Sequence, residues 1–192
     1  IAWSIEHALA VERIDRVIVS TDSDEIASIS RQYGAEAPFI RPASLAMDES
    51  PEWLAWRHGL EYLKNTGSFP EILVSVPATA PLRSTIDINK CLDEYENGSA
   101  DVIITVTDAH RSPYFNMVKE NPDGTYGLVN TPPFTLERRQ DAPIVYDMAT
   151  VCYVANSEYI MSHESIFEGR VRAVNVPIER AIDIDTLMDF QI

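Results

Sequence analysis

The run Ile182-Asp183-Ile184-Asp185-Thr186, two aspartates separated by one residue, carries the sharpest chemical signal in the chain. On a strand, residues i and i+2 share a face, so both carboxylates would point the same way while Ile182 and Ile184 pack inward. Two hard oxygen ligands side by side suit Mg²⁺, which binds through one or two carboxylates together with substrate phosphates. The run has an equally concrete structural reading, with Asp185 as N-cap of a helix starting at Thr186 and Asp183 solvated. A second signal is Ala78-Thr79-Ala80-Pro81-Leu82-Arg83, which follows a buried apolar run and precedes a helical one. Ligands of open α/β sheets bind at the carboxyl ends of strands, where such a loop lies. Arg83 and the helix N-terminus could both meet an anion there; an ordinary loop capped by Ser84 would look the same. Two arginine-bearing loops, Arg41-Pro42-Ala43-Ser44-Leu45-Ala46 and Glu137-Arg138-Arg139-Gln140-Asp141, complete the set. Guanidinium binds carboxylate and phosphate bidentately, although surface solubility also accounts for arginines in Pro-rich loops.

Composition narrows what these groups can serve. The chain has 192 residues, 45% hydrophobic, with 30 acidic against 15 basic residues and a net charge of −15. Such a surface repels polyanions, which argues against nucleic acid or an anionic membrane as partner. No apolar run approaches the roughly 18 residues of a spanning helix. Cys91 and Cys152 lie far apart without metal-ligand spacing, so buried free thiols in a reducing cytoplasm are expected. There is no Gly-x-Gly-x-x-Gly and no phosphate-cradling Gly-Lys-Ser/Thr; the first glycine is Gly34. His7, His58, His110 and His163 are scattered, and no Ser/His/Asp arrangement accompanies them.

The elements that must position the candidate residues alternate. Ile1–Ala10 has helical spacing, and Val17-Ile18-Val19 lies in a strand-like run, Arg16–Ser20. Asp22 with Glu25 reads as a capping box. Ile26, Ile29 and Tyr33 mark the helix that follows, ended by Gly34. A strand near Ala37–Ile40 leads into the loop Arg41–Ser50, and Ser50-Pro51 opens a longer helix. Ile72–Val76, Asp101–Val106, Val145–Val154 and Val171–Val176 are strand-like, Ser84–Tyr95 is helical, and Thr186–Gln191 begins a last helix. Strands without polar alternation, separated by helices, require a mostly parallel, doubly wound sheet covered on both faces. Met117–Val129 contains Asn121-Pro122-Asp123-Gly124 and predicts a hairpin. Residues 114–142 therefore read as an inserted arm that leaves the sheet and returns, with subunit contact as its expected use.

Taken together and in order, the motifs resemble one family. Val17-Ile18-Val19-Ser20-Thr21-Asp22 through Arg41-Pro42-Ala43, then Ala80-Pro81-Leu82-Arg83, Ser112-Pro113-Tyr114, Arg138-Arg139-Gln140-Asp141 and Ile182-Asp183-Ile184-Asp185-Thr186 are similar to the acylneuraminate cytidylyltransferases, the CMP-sialic acid or CMP-nonulosonate synthetases. The resemblance runs from Ile1 to the last helix. It implies a single three-layer α/β/α domain of the nucleotide-diphospho-sugar transferase type, over residues 1–192, with an inserted dimerisation arm. It implies an enzyme that activates a nine-carbon 2-keto sugar acid with CTP, releases pyrophosphate, uses Mg²⁺ and works as a homodimer.

Position by position, the resemblance puts Asp183 and Asp185 on the metal-binding aspartates. Arg41 falls near the cytidine, with Asp48–Ser50 in the adjoining nucleobase-side loop. Arg139 and Tyr153 fall at the sugar acid, and Thr79 and Arg83 in the loop beneath it. Three departures all touch the sugar side. The family's Gln-Pro-Thr-Ser-Pro-Leu-Arg is here Pro77-Ala78-Thr79-Ala80-Pro81-Leu82-Arg83, Phe115 replaces a lysine, and Ala149-Thr150 replaces Asn-Gly. A legionaminic- or pseudaminic-type acid is therefore expected ahead of N-acetylneuraminate itself. Family chains also begin with a strand and a Gly-, Arg-, Ser- and Lys-rich loop that wraps the triphosphate, and this sequence starts just after it. The expectation is that turnover needs that loop. The alternatives are a 3-deoxy-octulosonate-type nucleotidyltransferase, or an inactive dimerising or regulatory remnant.

Overall fold

A computed structural model describes residues 1–131, 136 and 138–191; part of the Pro-rich segment, including Glu137, lies outside the described residues. The central sheet has four strands in the order β1 (Ile72–Ser75), β5 (Tyr146–Asn156), β2 (Val102–Asp108), β6 (Val171–Asn175). β2 and β6 are parallel, while β5 runs antiparallel to both β1 and β2. Three of the four strands thus point one way, and the mixed α/β sheet is mostly parallel with one reversed strand. Among the described residues no α-helix lies between β2 and β5 to supply the crossover that a parallel return requires.

Helices cover both faces. α4 (Thr85–Asn97) brings Ile88, Cys91 and Leu92 against Ile103, Val151 and Val154. α3 (Glu52–Asn65) and α5 (Ser157–Ser162) bring Trp53, Trp56, Leu60 and Tyr159 against Val102, Ile104, Val106 and Tyr153. Alternate residues of β2 therefore enter different cores, which is why its sequence reads as an unbroken apolar run. α1 (Ala2–Leu9) brings Ile5 into a smaller cluster with Val19 and Ala35, which lie on either side of α2 (Asp24–Gln32) in the chain.

Several local expectations are corrected. The Arg16–Ser20 and Ala37–Ile40 strands reduce to one parallel bridge between Ile18 and Glu36. Ser23, not Asp22, caps α2, accepting from the Ile26 N–H at 3.3 Å. α5 had no sequence signal of its own; Asn156 caps it, accepting from the Tyr159 N–H at 3.0 Å. The pairing of β2 with β5 shifts register between Ile103 and Thr105. At that bulge Val151 and Cys152, though consecutive, enter the same core. The Thr105 hydroxyl, fully buried, donates to the Ala149 carbonyl at 2.7 Å and accepts from the Cys152 N–H at 3.2 Å.

The arm forms the expected hairpin, β3 (Val118–Glu120) with β4 (Tyr126–Leu128). Its turn places Gly124 at φ +79, a conformation glycine adopts without strain. Asp123 Oδ1 accepts from the Thr125 N–H at 3.0 Å and hydroxyl at 2.7 Å.

Candidate active site

Because β1, β2 and β6 run the same way, their carboxyl ends lie along one edge of the sheet, and the candidate residues follow them. The loop with Thr79 and Arg83 follows β1, the arm follows β2, and the Asp183–Asp185 segment follows β6.

The aspartate pair is not on a strand. β6 ends at Asn175, and residues 181–185 form an irregular segment crossing the sheet end, with Ile182 exposed rather than packed inward. One backbone bond docks it: the Ile184 N–H donates to the Thr79 carbonyl at 2.8 Å. This bond joins the two sharpest motifs, which are 105 positions apart (184 minus 79). The capping explanation of Asp185 does not hold either. The last helix, α6 (Leu187–Gln191), is closed by Thr186 and Asp189, whose Oδ2 accepts from the Thr186 N–H at 2.7 Å. The Asp189 N–H donates back to the Thr186 hydroxyl at 3.3 Å. Asp185 is exposed, and Asp183 Oδ1 is buried without a hydrogen-bond partner among the described residues. A buried carboxylate oxygen left open in this way fits a hard cation. Among the described residues no three His, Cys, Asp or Glu side chains gather to hold a metal.

Around Asp183 stand two of the expected sugar-side residues. Arg83 is only 2% exposed. It donates to the Ser4 hydroxyl at 2.8 Å and to the Pro77 carbonyl, so it braces the loop from within. Burial pushes its pKa down to about 10, with Cys152, Asp183 and Asp87 pulling it back up. Tyr153 sits on β5 opposite Ser75, with its ring 5.4 Å from that of Trp56. Burial, then the charges of Glu52 and Asp183, push its phenol up to about 12, so it stays a neutral donor. Glu52, which the sequence reading missed, accepts from the Ser75 hydroxyl and from Trp56 Nε1, both at 3.0 Å.

The remaining candidates are held separately. The Arg41 N–H donates to the Thr21 carbonyl at 2.8 Å, and its Nε is buried without a partner among the described residues. The Ser50 hydroxyl closes the same loop onto the Ser44 carbonyl at 3.1 Å, leaving Asp48 exposed. Among the described residues no hydrogen bond joins this loop to the Asp183 cluster. Arg139 donates to the His110 carbonyl at 2.7 Å, which places it beyond the end of β2. Arg138 is occupied by Asp141 at 3.1 and 3.0 Å.

Comparison with known proteins identifies the family and the fold. The chain is 34% identical to post-translational flagellin modification protein B of Campylobacter coli, covering the whole chain and 81% of that protein. It is also 34% identical to CMP-N,N'-diacetyllegionaminic acid synthase of Campylobacter jejuni, with the same coverage. Its fold matches CMP:2-keto-3-deoxy-manno-octonic acid synthetase complexed with CTP, with a TM-score of 0.69, 14% identity, and coverage of 98% of this chain and 83% of that one. Residues 1–191 match the cytidylyltransferase family, and the chain belongs to it.

Proposed function

We propose that the protein transfers a cytidylyl group from CTP to a nonulosonic acid of the legionaminic or pseudaminic type. The observation that carries this is the docking of the Asp183–Asp185 segment onto the Thr79 loop at the carboxyl edge of the sheet, beside neutral Tyr153. The relative at 34% identity, named for a legionaminic acid, agrees with the three sugar-side departures from the sialic acid pattern. The octulosonate alternative rests on fold alone, at 14% identity.

In this reaction the sugar's anomeric hydroxyl attacks the α-phosphorus of CTP in line. A new O–P bond forms as the bond to the bridging oxygen breaks. Pyrophosphate leaves with that electron pair, and the hydroxyl proton passes to solvent water. No protein nucleophile is needed, and the chain positions its substrates. Asp183 and Asp185 would hold Mg²⁺, which when bound neutralises charge on the phosphate oxygens. Arg139, Tyr153 and Thr79 orient the sugar acid, supported by Arg83 from below. Arg41, with Asp48 and Ser50, orients the cytidine side.

The working unit is a homodimer joined through the arm. Val118 and Tyr126 in the arm, and Ile144, Tyr146 and Met148 where the chain returns to β5, are more than half exposed, apolar side chains that a second copy would cover. Among the described residues no helix is long and apolar enough to cross a membrane. The buried free thiols Cys91 and Cys152 suit a reducing cytoplasm.

The test is pyrophosphate release from CTP by the full-length protein, offered legionaminic, pseudaminic, N-acetylneuraminic and 3-deoxy-octulosonic acids. Release with one of the first two at least tenfold faster than with the last two is expected. Equal or faster release with 3-deoxy-octulosonate, or none with any acid, overturns the reading.

A further inference from the structure

Asp87 is only 1% exposed, and both of its carboxylate oxygens are taken. Oδ2 accepts from the Ser84 N–H at 3.0 Å, which closes the capping box of α4. The same oxygen accepts from Arg180 Nε at 2.9 Å, and Oδ1 accepts from Arg180 Nη2 at 2.9 Å. The pair is a two-bond fork joining the start of α4 to the 3-10 turn Ile178–Arg180, three residues before Asp183. Between the fork and Asp183, Ala181 packs against the α4-side core. Just beyond, Ile184 is tied to Thr79. The helix that Asp87 opens also follows directly on the Thr79–Arg83 loop, so one carboxylate fixes the root of both motifs.

We propose that Asp87 and Arg180 are positioning residues, a clamp that sets the placement of the Asp183 and Asp185 carboxylates against the Thr79 loop. The proposal rests on the reading of those aspartates as the metal-holding pair. The physical argument is one of geometry. The irregular segment 181–185 has no ladder of its own, so its position is decided by its few attachment points. A planar guanidinium held by two bonds fixes direction as well as distance, which a lysine ammonium does not. The burial of Asp87 keeps water from competing for the fork.

The test compares Arg180→Lys, Arg180→Gln and the double variant Asp87→Asn/Arg180→Gln with the unaltered chain. Two readouts apply: amide hydrogen exchange at Ile184 against the core amide of Val154, and Mn²⁺ affinity in the presence of CTP by electron paramagnetic resonance. Ile184 should exchange at least tenfold faster, with Val154 unchanged. Mn²⁺ affinity should fall roughly tenfold to a hundredfold, as when an outer partner of a metal ligand is removed. Arg180→Lys retains the charge and guards against a variant that fails to fold; it should show the same pattern more weakly. Unchanged Ile184 exchange in folded Arg180→Gln overturns the clamp. Faster Ile184 exchange with unaltered Mn²⁺ affinity also overturns it, provided Asp183→Asn weakens Mn²⁺. Asp183→Asn without effect on Mn²⁺ overturns the metal reading instead, and Ile184 exchange then decides the clamp by itself.

Discussion

Two regions follow the carboxyl edge of the sheet and are held in opposite ways. The segment after β6 is drawn onto the body of the protein by the Arg180–Asp87 fork, the burial of Val176 and Ala181, and the Ile184–Thr79 bond. The arm after β2 is tied mainly to itself. At its base the Ser112 carbonyl accepts from three N–H groups, those of Phe115, Asn116 and Met117. Its hairpin closes through its own turn, while its apolar side chains face outward. On the proposed function, the two kinds of attachment suit two different tasks. Carboxylates that must meet a reacting phosphate need fixed coordinates and are pinned to a core. A surface that meets a second copy needs exposure, and gains its order from the partner.

The largest effect that separates the regions is on stability. Ile88→Ala, in the core beneath the pinned segment, is expected to lower unfolding free energy by about 2–5 kcal/mol. Val118→Ala in the arm should change the monomer by less than about 0.5 kcal/mol. Urea titrations at low protein concentration measure both, and equal losses would erase the contrast.

The next effect is on turnover. With Asp183 and Asp185 as the proposed metal-holding pair, Asp185→Asn should cut activity by ~10²-fold or more, as a charged oxygen would leave a hard-cation site. Asp183→Asn should behave likewise, and the double variant should fall far short of the product of the two because they act as a unit. Full activity of Asp185→Asn at limiting Mg²⁺ would mean that the pinning serves structure alone.

A third test concerns association. If the proposed dimer forms through the arm, deleting Pro122–Asn130 should lower the mass in light scattering from dimer to monomer while the melting temperature of the body stays nearly constant. An unchanged dimer mass assigns the arm's exposed face to something else.

The smallest effect is spectroscopic. Tyr153 should ionise near pH 12, later than exposed tyrosines, because burial opposes the phenolate. Its folded pKa lies above the unfolded one, near 10. Its contribution to stability is therefore fully present below about pH 10 and is lost as pH rises through about 12. Tyr153→Phe should remove the last step of the absorbance titration, and a titration ending near pH 10 would show Tyr153 to be open to solvent.

Much of the plan was legible in the residues alone. The unbroken apolar runs at 72–76 and 101–106 announced strands covered on both faces, and Asn121-Pro122-Asp123-Gly124 announced the hairpin, because these signals are local. The order of the motifs named the family, and with it the roles implied for Asp183, Asp185, Arg139 and Tyr153. What could not be read locally was decided by packing. The reversal of β5 goes with the lack of an α-helical crossover among the described residues, and the bulge at Thr105 depends on a register that only two paired strands define. The strand expected at Asp183–Asp185 failed because alternation of Ile and Asp does not by itself supply a neighbouring ladder. Thr186 and Asp189 capped the last helix in place of Asp185, which left the Asp185 carboxylate exposed. Asp87 and Arg180 are 93 positions apart, and no spacing rule links them. Side-chain types and periodicities set which groups could do chemistry. Which of them meet was settled by three strand ends arriving at one edge, where a buried carboxylate, a guanidinium fork and one backbone bond bring distant loops together.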